Sequence, residues 1–150
     1  MNRAASLIVF LAIVIGGGLA IGYLTAPGEW YIALQKPPFN PPAWVFAPVW
    51  TLLYVLIAIA GWRIWRIAPA GTAMKLWIAQ MILNFLWSPT FFAAHMTGAA
   101  LIVILLLLAA IIGFIATARR TDKVAAFLFV PYAAWVAFAS VLNASIFVLN

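Results

Sequence analysis

The chain predicts an all-α membrane protein, a bundle of five transmembrane helices in one domain over residues 1–150, and three observations carry that prediction. First, 69% of its 150 residues are hydrophobic and only 7% are charged, with a mean hydropathy of +1.19, which leaves too little polar surface to cover a globule in water. Second, apolar segments run over roughly 6–26, 44–62, 72–93, 97–118 and 124–148, each near the ~20 residues that a helix needs to cross the hydrocarbon core. Third, if these segments alternate across the bilayer, Arg3, Arg63, Arg66, Lys75, Arg119, Arg120 and Lys123 collect on one side and Lys36 stands alone on the other. That bias predicts a cytoplasmic N-terminus and an outside C-terminus. Uninterrupted runs such as Ala99 to Ala110 exclude the period-2 alternation of a membrane β-barrel.

The first segment has an alternative reading, because Arg3 followed by an apolar run and Ala26 also fits a signal peptide. Leu7 to Leu24 is long enough to span, however, and Pro27 directly after Ala26 makes an awkward cleavage junction, so the segment counts as the first helix. Its Gly16, Gly17, Gly18 and Gly22 include a small-xxx-small pair at 18 and 22, which lets another helix approach closely, from the same chain or from a second copy.

The link from Glu29 to Trp50 is the most informative stretch. It carries Trp30, Tyr31, Trp44 and Trp50 together with Pro37, Pro38, Pro41, Pro42 and Pro48. The prolines fix φ and restrict the residue ahead of each, so the link is a stiff lid and not a floppy connector. Its rings suit a membrane–water boundary. The later connections are short, with Pro69 and Gly71 as breakers, so neighbouring helices are expected to pack antiparallel. The fourth segment is almost purely aliphatic from Ala99 to Ile115 and reads as a lipid-facing or backing helix. There is no linker for a second domain and no internal repeat, and an odd helix count argues against an inverted-repeat transporter.

The net charge of +6 is mainly a topology signal. Its basic residues lie in short membrane-adjacent loops and not on a folded face, which argues against nucleic acid as a partner. With no cysteine, disulfides, thiol catalysis and thiolate metal sites are excluded.

Polar groups inside apolar helices point to a site. Gln80, Asn84 and Ser88 recur at steps of four on the third segment, and intramembrane amides rarely face lipid. The fifth segment places Tyr132, Trp135, Ala139 and Asn143 on one stripe just after Pro131, and the second offers Trp50, Thr51 and Tyr54 near the lid. These predict an aromatic-walled cavity with a few polar anchors beneath the lid, alongside plain interhelical hydrogen bonding. Pro48, Pro89 and Pro131 each free a backbone carbonyl that a neighbouring helix or a ligand can satisfy. Trp62, Trp65 and Trp77 fall near the opposite ends of the second and third segments and read as an aromatic belt.

Three motifs occur in order: WYIALQKPPFNPPAWVFAPVW from Trp30 to Trp50, LNFLWSPTFF from Leu83 to Phe92 and VPYAAWVAFASVLN from Val130 to Asn143. Together they resemble the TspO/MBR family, the translocator proteins also called tryptophan-rich sensory proteins or peripheral benzodiazepine receptors. The resemblance implies a five-helix fold, usually a homodimer. It implies binding of tetrapyrroles such as protoporphyrin IX and haem and, in several members, cholesterol and isoquinoline or benzodiazepine ligands, with no obligatory cofactor. Carried over by position, the ligand-site candidates are Tyr31, Trp50, Tyr54, Asn84, Ser88, Phe91, Trp135 and Ala139. It also implies a multi-pass protein of the bacterial cell membrane, with an outer-membrane location reported for some members. One departure is that the chain ends SVLNASIFVLN without the basic residue of the animal sterol-recognition element, which puts sterol binding through that element in doubt.

Three functions compete: a binding and regulatory protein for flat hydrophobic ligands, a transporter of the same ligands, and a structural subunit whose aromatic residues only pack. Enzymatic roles are thinly supported, since Glu29, Asp122 and His95 are the only carboxylates and imidazole and occupy three different loops, so no triad, carboxylate pair or metal cluster can be assembled. His95 reads as a solvated loop residue and not as a haem ligand. Light-dependent porphyrin degradation enters only through the family resemblance. The topology is directly testable: a reporter fused after Asn150 is expected to be active only in its periplasmic form in a bacterial inner membrane, and a cytoplasmic C-terminus would overturn the orientation.

Overall fold

The computed structural model describes residues 1–150 and is all-helical, with five helices long and apolar enough to cross a membrane. Helix α1 (Arg3–Leu24) is capped by Asn2, whose Oδ1 accepts from Ala5 N at 2.7 Å. A short helix α2 (Glu29–Ala33) and a single 3₁₀ turn (Ala43–Val45) lie in the first link, and α3 (Phe46–Ile67) follows directly. Helix α4 (Thr72–Ser88) runs on through a wider π turn (Pro89–Ala93), so the span covers residues 72–93. Helix α5 occupies Thr97–Ala118. The last span is divided at Phe129 into α6 (Lys123–Leu128) and α7 (Val130–Leu149), where the sequence predicts one helix. Pro131 sits in the first turn of α7, the place in a helix where a missing N–H costs nothing.

Helix α1 lies against both α3 and α4, α4 packs on α5, α5 on α7, and α6 closes the ring against α3. Consecutive spans pack antiparallel as expected for α1–α3, α4–α5 and α5–α7, while α3 and α4 approach less closely and meet through a side chain. That side chain is Trp77. It is 7% exposed, and its indole donates to Ile57 O at 3.0 Å. It lies over Gly61, where an added Cβ would overlap the ring. The aromatic-belt expectation is therefore wrong for Trp77, because Gly61 leaves a recess in α3 that admits an indole into the core. Trp62 does stay at the periphery, with its N–H on Ser6 Oγ at 2.9 Å and the Arg66 guanidinium 4.8 Å from the ring centre.

Lipid offers no hydrophobic drive between helices, so close packing has to hold them. Small residues buried at the contacts, among them Ala58, Ala60, Ala73, Ala110, Ala118 and Ala125, allow that approach. Large apolar side chains such as Ile13, Leu52, Ile82, Ile102 and Ile112 point outward. The densest part of the core includes Ile57, Ile64, Ile111, Phe114, Phe129 and Tyr132 and fills the half of the bundle away from the first link. At that end Asp122 caps α6 by accepting from Val124 N at 3.0 Å and pairs with Arg63 of α3 at 2.6 and 3.2 Å. Helices α3 and α7 touch only sparsely, and the bundle opens between them toward the first link.

The Arg63 guanidinium and the α6 backbone hold the Asp122 carboxyl below the usual carboxylate range. A lowered folded-state pKa makes its contribution complete above the unfolded value of about 3.9 and lost as pH falls through the folded value. Asp122→Ala removes both the cap and the ion pair and is expected to cost about 1–2 kcal/mol at neutral pH. Thermal unfolding in detergent should show that deficit shrinking once the pH drops below 4. A deficit independent of pH would exclude the charge.

Candidate functional site

The open half of the bundle encloses a cavity of about 790 Å³, within the range of small-molecule pockets. Its walls come from α1, α3, α4 and α7, and the first link covers it. None of its lining residues belongs to α5, in keeping with the reading of that helix as a backing element.

The sequence candidates converge. Tyr31, Trp50, Tyr54, Asn84, Ser88, Phe91, Trp135 and Ala139 all line this one cavity. Trp50 stands 5.6 Å from Tyr54 between ring centres and meets Tyr132 edge-on at 6.4 Å, while Trp135 packs on Phe46 at 5.8 Å. Phe91 is buried by the π turn and gathers Trp87, Trp30 and Tyr31 around it.

The polar stripe of α4 serves both packing and cavity. Tyr132, fully buried on α7, donates its hydroxyl to Gln80 Oε1 at 2.8 Å and accepts from Asn84 Nδ2 at 2.7 Å. This relay ties α4 to α7 at the cavity floor, and Gln80 lies below the wall while Asn84 reaches it. Thr25 gives its one proton to Ile21 O at 2.7 Å, so Ser88 must be the donor in the 2.6 Å Ser88–Thr25 contact. That leaves the Ser88 oxygen free to accept.

Sequence reasoning misses Trp87 as a wall residue, whereas it places Asn143 on the inward stripe of the fifth segment. Trp87 lines the cavity with its N–H on Asn143 Oδ1 at 3.0 Å, and Asn143 Nδ2 donates in turn to Thr97 O at 2.9 Å. The signal for Trp87 was its place three residues from Asn84, next to a stripe already recognised. Gly18 also lines the cavity, but its bare backbone is covered by the Tyr54 ring, and Gly17 faces Phe85, whose Cζ would lie 2.7 Å from an added Cβ. Of the two readings of the glycine pair, Gly18 thus follows the intrachain one.

The lid is anchored at several points. Lys36 Nζ donates to Tyr31 O at 2.6 Å, Leu34 O at 3.2 Å and Ile32 O at 3.3 Å, capping α2. The Asn150 side chain pairs with both backbone groups of Gln35, at 3.1 and 2.9 Å. His95 is exposed, as expected, but takes a positive φ of 57°, and its ring stacks on Trp30 with centres 4.0 Å apart. Burial pushes the Tyr31 phenol up, with the Asn40 side chain drawing it part-way back, so it remains a neutral donor at physiological pH.

Only two buried side-chain polar atoms in the chain lack a hydrogen-bond partner, Trp135 Nε1 and Asn40 Oδ1. Both residues line the cavity. Unpaired buried groups are costly and call for a partner. No three His, Cys, Asp or Glu side chains come together anywhere, and the wall holds no carboxylate or imidazole.

Residues 9–149 match the TspO/MBR family. The chain belongs to the TspO/MBR family. It is 35% identical over 150 residues to a tryptophan-rich sensory protein of Cereibacter sphaeroides, covering all of this chain and 95% of that one. It is 39% identical over 154 residues to the tryptophan-rich protein TspO of Archaeoglobus fulgidus, covering all of this chain and 97% of that one. The human translocator protein is 35% identical over 134 residues, 84% of this chain and 79% of its own. A multi-pass membrane protein of the TspO/MBR family thus carries its cavity at the lid end of the bundle.

The relay at the cavity floor makes a quantitative prediction. Tyr132→Phe leaves Asn84 Nδ2 and Gln80 Oε1 without their partner. Interhelical hydrogen bonds in membranes average about 0.6 kcal/mol each, with buried unpaired groups costing more, so a loss of about 1–2 kcal/mol is expected. Thermal unfolding in detergent measures it, and a variant as stable as the parent would show that the relay does not hold α4 to α7.

Proposed function

We propose that this protein binds tetrapyrroles such as protoporphyrin IX and haem, or similarly flat hydrophobic molecules, in the cavity under the first link, and acts as a binding and regulatory membrane protein. The observation that carries the reading is the pairing of aromatic walls with two unpartnered buried polar atoms, Trp135 Nε1 and Asn40 Oδ1, on one cavity. Indole and phenol rings at Trp50, Tyr54 and Trp135 offer stacking and edge contacts to a flat π-system. The orphan Trp135 N–H fits an acceptor on such a ligand's edge. The aromatic side chains of the wall hold a macrocycle by its faces and edges.

A sensory role is preferred to passage across the membrane because the cavity has a floor. Tyr132, Phe129 and Phe114 fill the bundle beneath it, and a transport cycle would have to unpack them. The names of the relatives span both ideas, sensory protein and translocator protein. Homodimer formation is part of the same proposal, with Gly18 unavailable to it because Tyr54 covers that position within the chain.

Trp50→Ala and Trp135→Ala are each expected to weaken protoporphyrin IX binding about fivefold, the worth of roughly 1 kcal/mol of aromatic contact. Ala139→Thr adds volume and a hydroxyl to a nearly buried wall position and should weaken it comparably, at about 1–3 kcal/mol for overpacking. Trp44→Ala, at a residue 75% exposed and off the wall, serves as the control. Titration of folded, detergent-solubilised variants followed by porphyrin absorbance is the measurement, and equal affinities in all four would place the site elsewhere.

A further inference from the structure

We infer that Lys36 anchors a carboxylate of the ligand, so that the cavity selects anionic flat molecules and holds them with the charged edge toward the first link. The inference rests on the reading of the cavity as a tetrapyrrole site and adds to it an orientation and a charge requirement.

Lys36 is the only charged residue on the wall. Neither carboxylate of the chain competes for it. Asp122 is engaged by Arg63 at the opposite end in the one ion pair of the structure, and Glu29 does not line the cavity. Lys36 is a half-buried residue, and its ammonium has only neutral partners, the carbonyls of Tyr31, Leu34 and Ile32 and the Tyr31 ring face 4.5 Å away. Carbonyl dipoles and a π face solvate a cation but leave its charge uncompensated, and a charge withdrawn from water is costly until an opposite charge meets it.

The geometry leaves room for such a partner. The contact to Tyr31 O at 2.6 Å is short, whereas those to Leu34 O at 3.2 Å and Ile32 O at 3.3 Å lie at the weak end of the hydrogen-bond range. Exchanging one of these for a carboxylate oxygen replaces a neutral acceptor with a charge-assisted one, about twice as strong. The wall is ordered to match. Lys36 stands at the lid end, whereas Trp50, Tyr54 and Asn84 lie deeper, near the Tyr132 floor. A molecule with an aromatic body and carboxylates along one edge fits one way round, ring system inward and acid groups toward Lys36. Its neutral ester keeps the stacking and loses the ion pair.

The test compares protoporphyrin IX with its dimethyl ester on the detergent-solubilised full chain, with protein-free micelles as the partition blank. The wild type should prefer the diacid about five- to tenfold, the worth of one partly exposed charge-assisted contact, and the preference should narrow as salt is raised. Lys36→Met should abolish it by weakening the diacid alone, and Lys36→Arg should retain most of it. Unchanged ester binding by Lys36→Met shows that the lid is still in place. Equal wild-type affinity for acid and ester, or an equal loss of both in Lys36→Met, would overturn the inference and leave Lys36 as a cap on α2. Failure of both compounds to bind the wild type would instead remove the tetrapyrrole reading itself, and this inference with it.

Discussion

The hydroxyl of Tyr132 is the contact on which the two halves of this bundle depend. A phenol buried among helices in lipid must find both an acceptor and a donor, because no water can complete its hydrogen bonds. Gln80 and Asn84, one turn apart on α4, supply them, and α7 is thereby held against α4 at one height. Below that height aromatic and aliphatic side chains fill the space between helices, with Phe129 edge-on to the Tyr132 ring and Phe114 packed on Phe129. Above it α3 and α7 draw apart and the cavity begins. The relay is thus both a fastening and a floor.

A cavity in a membrane bundle needs a cover that satisfies its own backbone. The first link meets that need with little regular structure: five residues of α2, one 3₁₀ turn, and prolines that have no N–H to satisfy. Side chains do the remaining work. Lys36 closes the carbonyl end of α2, Asn150 imitates a paired strand against Gln35, and Trp30 lies flat on His95. Trp30, Tyr31 and Leu34 also pack on the small buried cluster around Phe91, so the link is fastened to the bundle as well as to itself.

The site sits where the packing rules are relaxed. Elsewhere in the chain buried polar side chains are paired, and the two exceptions are both on the cavity wall. Unpaired groups and unfilled volume each lower stability, so their concentration in one place is the pattern expected of a binding site, where the ligand completes what the fold leaves open. The densely packed half supplies the compensating stability, with Trp77 set into the recess at Gly61 and α6 tied to α3 through Arg63 and Asp122.

The sequence by itself determined the spans, because a run of some twenty apolar residues has one solution in a bilayer. The segments read at 72–93 and 97–118 coincide with the helical spans, π turn included. It also determined that Gln80, Asn84 and Ser88 share a face, since a step of four is a property of the helix alone. The eight candidate side chains are carried over by position from the family resemblance, and in the structure they line one cavity, with Tyr31 in the covering link and Phe91 in the π turn. Only the tertiary structure decided which neighbour each stripe meets. Trp77 belongs to the core and not to the membrane boundary because Gly61 of another helix stands opposite it, and Gly18 is closed to a second chain because Tyr54 arrives there first. The break at Phe129 follows from α6 turning onto α3 while α7 leans away from it. Trp87 and Asn143 join the wall through a bond between helices 56 residues apart in sequence. Periodicity specifies the direction in which a side chain points on its own helix, whereas the identity of what it meets depends on helix order and crossing, and these are set by the fit of rings into recesses that no single segment encodes.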